Sequence, residues 1–339
     1  MSDANAPDRM SAGSGTGAAI AAMLLGLLAF AAAGRANDSS ATLGTGGLVL
    51  ARSETVALES EDLYVSLDEI RVRYRFRNIG PGDVETIVAF PLPEVDLWTY
   101  AEIPIDLPVD DPLNFVGFTV TVDGAEVTAT VEQRAFVGGT EVSDDLRRHG
   151  IPFTFFDPGF GDVLARLSWA AREELVERNV LLYGDDGTPY AKWRTQTTFH
   201  WTQRFPAGEV VEVEHRYRPV AGQFFITPQD LVETGDEDEN NPYCVDAAFD
   251  AAIEKRLRQR GWPDTDPALV AWSVDYILTT AANWAGPIRE FRLTVDKGKP
   301  GRLVSFCGGG VTKTGPTTFV MEKRDFVPIE DLHVLLIEE

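Results

Sequence analysis

The sequence predicts a mainly β protein: antiparallel β-sandwich structure with a mostly helical insert at about 138–189 and one further amphipathic helix at about 245–260. Three observations carry this. Ile70, Val72, Tyr74 and Phe76 alternate with Arg71, Arg73, Arg75 and Arg77, the period of a strand with one buried and one wet face. Asp123-Gly124 separates two alternating runs, 118–122 and 127–131, as a tight hairpin turn does. Short apolar runs divided by Gly and Pro recur down the chain at sandwich spacing.

Residues 1–36 read as a secretory signal peptide. An Ala/Leu-rich run at 18–33 leads to Gly34 and Ala36, small residues at −3 and −1 of a cut before Asn37. The run falls short of the roughly 20 apolar residues of a membrane span, so no span is expected after cleavage; an uncleaved N-terminal anchor is the alternative. Residues 37–220 then form an N-terminal sandwich with the insert, and 221–339 a C-terminal helix plus β region, packed with the first as one unit or apart. Strand candidates at 44–50, 55–58 and 63–67 run into the arginine strand. The Gly/Pro turn at 78–83 ends it, and Val84, Thr86, Val88 and Phe90 begin the next, so 70–90 reads as the central hairpin.

Within the insert, 140–149 and 162–178 read as helices, the second with Leu164, Leu167, Ala171 and Leu175 at helical spacing. Strands resume at 195–205 and 209–218, where Val211, Val213, His215 and Tyr217 alternate with Glu212, Glu214, Arg216 and Arg218. Residues 230–241 are an acidic solvated loop. The helix at 245–260 carries Phe249, Ala252, Ile253 and Leu257 as its stripe. Asp246 and Asp250 at its start and basic residues at its end suit the helix dipole, and Gly261 and Pro263 stop it. Strands at 274–279, 290–295, 303–306, 318–321 and 332–337 complete the chain.

A net charge of −23 and a pI near 4.5 disfavour nucleic acid and anionic membranes as partners. Six of the 30 cationic side chains are Lys, so Arg dominates, as suits partly buried ion pairs. Cys244 and Cys307 both lie in the exported part and read as a disulfide, with two buried thiols as the alternative.

Two groups of segments carry a family resemblance. One is Asn37-Asp38-Ser39-Ser40 with Gly46-Gly47-Leu48, residues 70–78 and Ala89-Phe90-Pro91-Leu92-Pro93. The other is 274–278, Asn283-Trp284-Ala285-Gly286-Pro287, 291–297 and 304–308. Together they resemble the exported bacterial family known as domain of unknown function 4424. The resemblance implies an envelope protein and carries over no catalytic residue. A weaker likeness of 90–93, Asp123-Gly124 and 206–217 to the VIT-type β-sandwich is architectural only.

Motifs for chemistry are sparse. The four His are scattered and none forms His-Glu-x-x-His; His215, on an apolar strand face, reads as a hydrogen-bonded core residue. Asp236, Asp238 and Asn240 begin a calcium-loop pattern that Asn241 and Ala247 break, leaving them weak calcium candidates. No cofactor is expected. Arg71, Arg73, Arg75 and Arg77, roughly 6.5–7 Å apart on one strand face, could read an anionic or sugar ligand; ion pairing with Glu85, Glu212 and Glu214 is the plainer alternative. Trp284, in a turn, is the candidate exposed stacking platform. The expected function is a periplasmic or secreted, non-enzymatic sandwich that binds a partner protein or an envelope glycan. The alternatives are a glycan-acting hydrolase using acids such as Asp185, Asp186, Asp236 or Asp238, and a subunit of an envelope assembly.

Overall fold

The computed structural model describes residues 37–44, 47–100, 107, 109–185, 187–229 and 241–338. The signal-peptide segment 1–36 and the calcium candidates Asp236, Asp238 and Asn240 lie outside them, as do Asp186 and most of the acidic loop.

The first strands are β1 (Ser39–Gly44), β2 (Gly47–Ala51), β3 (Val56–Val65), β4 (Ile70–Asn78), β5 (Val84–Pro91) and β6 (Val95–Asp96), followed by a single helical turn, α1 (Leu97–Tyr100). Then come β7 (Thr119–Val122), β8 (Ala125–Val127), β9 (Thr130–Val137) and β10 (Thr140–Glu141). The insert holds α2 (Ser143–His149), α3 (Phe160–Arg166), α4 (Trp169–Glu177) and the hairpin β11 (Leu181–Tyr183) and β12 (Pro189–Ala191). After it run β13 (Arg194–Phe205), β14 (Val210–Tyr217), β15 (Gly222–Ile226) and α5 (Ala247–Gln259). The last part contains β16 (Leu269–Tyr276), a 3-10 turn (Thr279–Asn283), β17 (Ile288–Asp296) and β18 (Leu303–Phe306). It ends with β19 (Thr312–Lys313), β20 (Thr318–Phe326) and β21 (Leu332–Ile337).

Among the described residues, one sheet runs β10-β9-β13-β5-β1-β2 with β6 on β13, and a second of eight strands runs β19-β20-β17-β3-β4-β14-β7-β8. The fold is mainly β and sandwich-like, as the alternation predicts. Phe76 of the second sheet meets Phe205 of the first at 5.8 Å between ring centroids, and Phe118 stacks on Phe199 at 4.3 Å. Aromatic burial of this kind dominates such cores.

The expected hairpin 70–90 is corrected. β4 pairs with β3 and β14, whereas β5 pairs with β1 and β13 in the opposite sheet. Residues 79–83 therefore carry the chain from one layer to the other. Asn78 pins that crossing: its Nδ2 donates to Phe205 O and Gly82 O, both at 2.8 Å, and its Oδ1 accepts from Gly80 N at 2.9 Å. The Asp123-Gly124 hairpin is as expected. Both residues have positive φ (48° and 80°), as a primed turn requires, and glycine supplies that geometry without a Cβ clash.

The single helix expected at 162–178 is two. Ser168 takes an extended conformation and its side chain accepts from Ala171 N, capping α4 just after α3 ends. A serine that caps a new helix competes with continuing the old one. α5 begins one residue after Asp246, whose Oδ1 accepts from Phe249 N at 2.8 Å. It buries Ile253 and Leu257 against Leu269, Ala271, Leu335 and Ile337 of the four-stranded sheet β15-β16-β21-β18. Cys244 and Cys307 form a disulfide, tying the residues before α5 to the end of β18. β17 runs parallel to β3, so a late strand completes the eight-stranded sheet through an early one.

Candidate functional site

Two places gather polar side chains. The first is inside the sandwich. β3 shows why: Glu61 falls in phase with Leu63 and Val65, and pairs across with inward-facing Tyr74. The carboxyl is thus carried into the core, where Asn37 Nδ2 donates to both its oxygens at 3.1 Å. Tyr74 OH donates to Asn37 Oδ1 and lies 3.0 Å from Tyr276 OH.

Asn37, Asp38 and Ser39 are all fully buried. The 3-10 turn and the residue after it hold them there. Thr280 Oγ1 donates to Asn37 O at 2.8 Å, Trp284 Nε1 to Asp38 O at 2.6 Å, and Asn283 Nδ2 to Ser39 Oγ at 2.9 Å. The Asp38 Oδ1 atom lies 3.5 Å from His215 Nε2. Among the described residues, both Asp38 oxygens, both His215 nitrogens, Tyr217 OH and Trp201 Nε1 are buried without a hydrogen-bond partner. Burial, then the Glu61 charge, holds the Asp38 carboxyl well above the usual carboxylate range. Burial pushes Glu61 up to about 8 against the opposing hydrogen bonds of Asn37 and Tyr276. Burial also pushes His215 down to about 3, so the imidazole is neutral at pH 7. Such centres are costly unless satisfied.

Two expectations are corrected here. Trp284 is not an exposed platform but fully buried, packed on Phe76 at 4.7 Å and Phe205 at 6.0 Å between ring centroids. Its turn folds into the sandwich because the indole N–H has the Asp38 carbonyl to satisfy there. His215 is in the core as expected, but without a hydrogen bond; its ring meets Tyr74, Phe90, Phe118 and Trp201 at 4.8–5.4 Å.

The second place is the outer face of the eight-stranded sheet. Arg71, Arg73, Arg75 and Arg77 all point outward, and each has a partner: Glu69 at 3.5 Å, Glu214 at 2.6 Å, Glu212 at 3.4 Å and Glu59 at 2.5 Å. Glu85 is not among them, because β5 lies in the other sheet, where it faces Arg204. Across five strands the charges alternate in register: Glu322, Arg292, Asp62, Arg73, Glu214. Each such cross-strand pair contributes a few tenths to about 1 kcal/mol. The arginines therefore form part of a two-signed lattice rather than a row of free cations.

Beside them, over β3, β17 and β20, lies an open groove of about 510 Å³ lined on the outer face by Asp62, Glu290, Arg292, Glu322 and Arg324. Arg292 and Glu322 pair at 2.9 Å. Asp62, Glu290 and Arg324 make no ion pair among the described residues. Among those residues no group of three or more His, Cys, Asp or Glu could hold a metal ion, and no helix is long and apolar enough to cross a membrane. Asp185 is exposed at its turn, apart from both places.

The segments that meet in the core, Asn37–Ser39 and Asn283-Trp284, are among those that carried the family resemblance. The family model described as "Domain of unknown function (DUF4424)" matches residues 36–335. This chain belongs to the DUF4424 family. Among solved structures, this DUF4424 chain is similar to one described as a "putative nutrient binding protein" from Legionella pneumophila subsp. pneumophila str. Philadelphia 1. The identity is 14% over 89% of this chain and 70% of that chain, with a TM-score of 0.44. A likeness at that level extends to neither a site nor a ligand. No curated protein matches.

The pattern of β3 held a signal for Glu61, an acid in phase with Leu58's apolar successors Leu63 and Val65. Asp38 had none, because its burial depends on a turn more than 240 residues away.

Proposed function

We propose that this is a non-enzymatic envelope protein that binds a partner protein through the outer face of its eight-stranded sheet. The groove beside the charge lattice carries the reading, because Asp62, Glu290 and Arg324 leave charges of both signs unpaired there. A protein surface offers matching groups of both signs, and such complementarity steers association and sets register. A glycan fits less well, since Phe291, the aromatic residue at the groove, is buried and offers no ring to stack. A disulfide across 63 residues suits an oxidising compartment such as the periplasm.

The test compares wild type with the substitution Arg324→Glu as bait in native envelope extract, at low and high salt. Capture that is lost both with salt and on charge reversal supports the reading. A partner held equally by both baits, or no capture by wild type, overturns it.

A further inference from the structure

Buried carboxyls are ordinarily matched by a cation or held neutral. Asp38 and Glu61 are both buried to within about 1% and lie close enough for one to perturb the other. The ionisable base beside Asp38 is His215, which stands at 3.5 Å with neither nitrogen bonded. Among the described residues, no Lys or Arg acts on either carboxyl. Among the described residues, the centre has two acids, two unpartnered Asp38 oxygens and no positive charge.

The missing group is one bond away. Asn37 binds Glu61 through its side chain, and its backbone is held by Thr280 and followed directly by Asp38. Its main-chain nitrogen thus belongs to a residue that hydrogen-bonds one acid and is bonded in the chain to the other. The sequence places small residues, Gly34 and Ala36, at −3 and −1 of a cut at that nitrogen. We infer that cleavage between Ala36 and Asn37 is a structural step, leaving an α-ammonium group on Asn37 that is buried as the counter-ion of Asp38 and Glu61. A leader peptidase adds water across the peptide bond, giving a carboxylate on Ala36 and an amine on Asn37 that takes up a proton. The neutral amide nitrogen becomes a cation with three donors, enough to serve the orphaned Asp38 oxygens. Export and completion of the core are then one event, independent of what the outer groove binds.

The test uses the full chain exported through its own leader. Intact-mass measurement should find Asn37 as the first residue. An amine-reactive acylating reagent should modify the Asn37 α-amine about tenfold or more slowly in the folded protein than in denaturant, as for a group freed only by local opening. A second form, with the leader altered so that the mature chain begins at Ala36, should melt several degrees lower. Asp38→Asn should shrink that difference. A cut elsewhere, an α-amine acylated at the same rate folded and unfolded, or equal melting of the two forms would each overturn the inference. The acylation readout needs no substitution, so it decides the matter even where Asp38→Asn fails to fold.

Discussion

On β4, Phe76 is fully buried while Arg73 keeps 55% of its side chain in water. The two residues answer to different forces. Phe76→Ala removes a ring packed on Trp284 and Phe205 and should cost about 3–5 kcal/mol, read from the denaturant midpoint. Arg73→Ala removes an exposed ion pair and should cost less than about 1 kcal/mol. Equal losses would mean that the strand's faces are wrongly assigned. His215 supplies a pH signature. Its ordinary value is 6.5 and burial lowers it to about 3 in the folded chain. Between those values the unfolded chain holds the extra proton, so this residue's contribution is full above 6.5 and is lost as pH falls toward 3. His215→Phe keeps a ring among Tyr74, Phe90 and Trp201 and removes the titration. Wild type should therefore lose stability relative to His215→Phe, by several kcal/mol, between pH 7 and 4. A constant difference over that range would count against a neutral buried imidazole.

At the scale of elements, α5 and its sheet form a small core of their own, with Ile253 and Leu257 against Leu269 and Leu335. The disulfide is the covalent tie beside it. Replacing both Cys244 and Cys307 by Ser should lower stability by about 2–5 kcal/mol, measured by denaturant unfolding, chiefly through the freed entropy of the unfolded chain. An unchanged midpoint would show that the loop is already ordered without the bridge. This element was legible in the sequence from end to end. The acids at its start, the Phe249–Leu257 stripe and Gly261 are local signals. The arginine alternation on β4 was legible for the same reason. The break between α3 and α4 was not read, because Ser168 fits either a continuing helix with a polar face or a new cap. The crossing at 79–83 was missed because the same Gly-Pro-Gly chemistry serves a hairpin and a change of layer.

At the scale of the molecule, the parallel pairing of β17 with β3 and the placing of Trp284 and Tyr276 in the shared core bind the late part of the chain to the early one. A fragment ending at 220 would bare the β3 edge and empty those two large side chains from the interior. It should be recovered unfolded or aggregated, with near-UV circular dichroism as the check. A cooperatively folded fragment would show that 37–220 holds its own core.

The candidate sites divide along the same line. The four arginines were readable as an outward row, yet their partners were only partly so: Glu212 and Glu214 were foreseen, Glu59 and Glu69 were not. By itself the sequence determined which face of each strand is greasy, where the turns fall, where α5 starts and stops, and that two thiols are available to join. Those are properties of residues within a few positions of one another. Only the tertiary structure decided that β5 leaves β4 for the other layer, that Trp284 goes inward, and that Asp38 and Glu61 share the core. Those depend on which distant segment lies alongside, and a strand's alternation specifies a face without naming the neighbour that covers it.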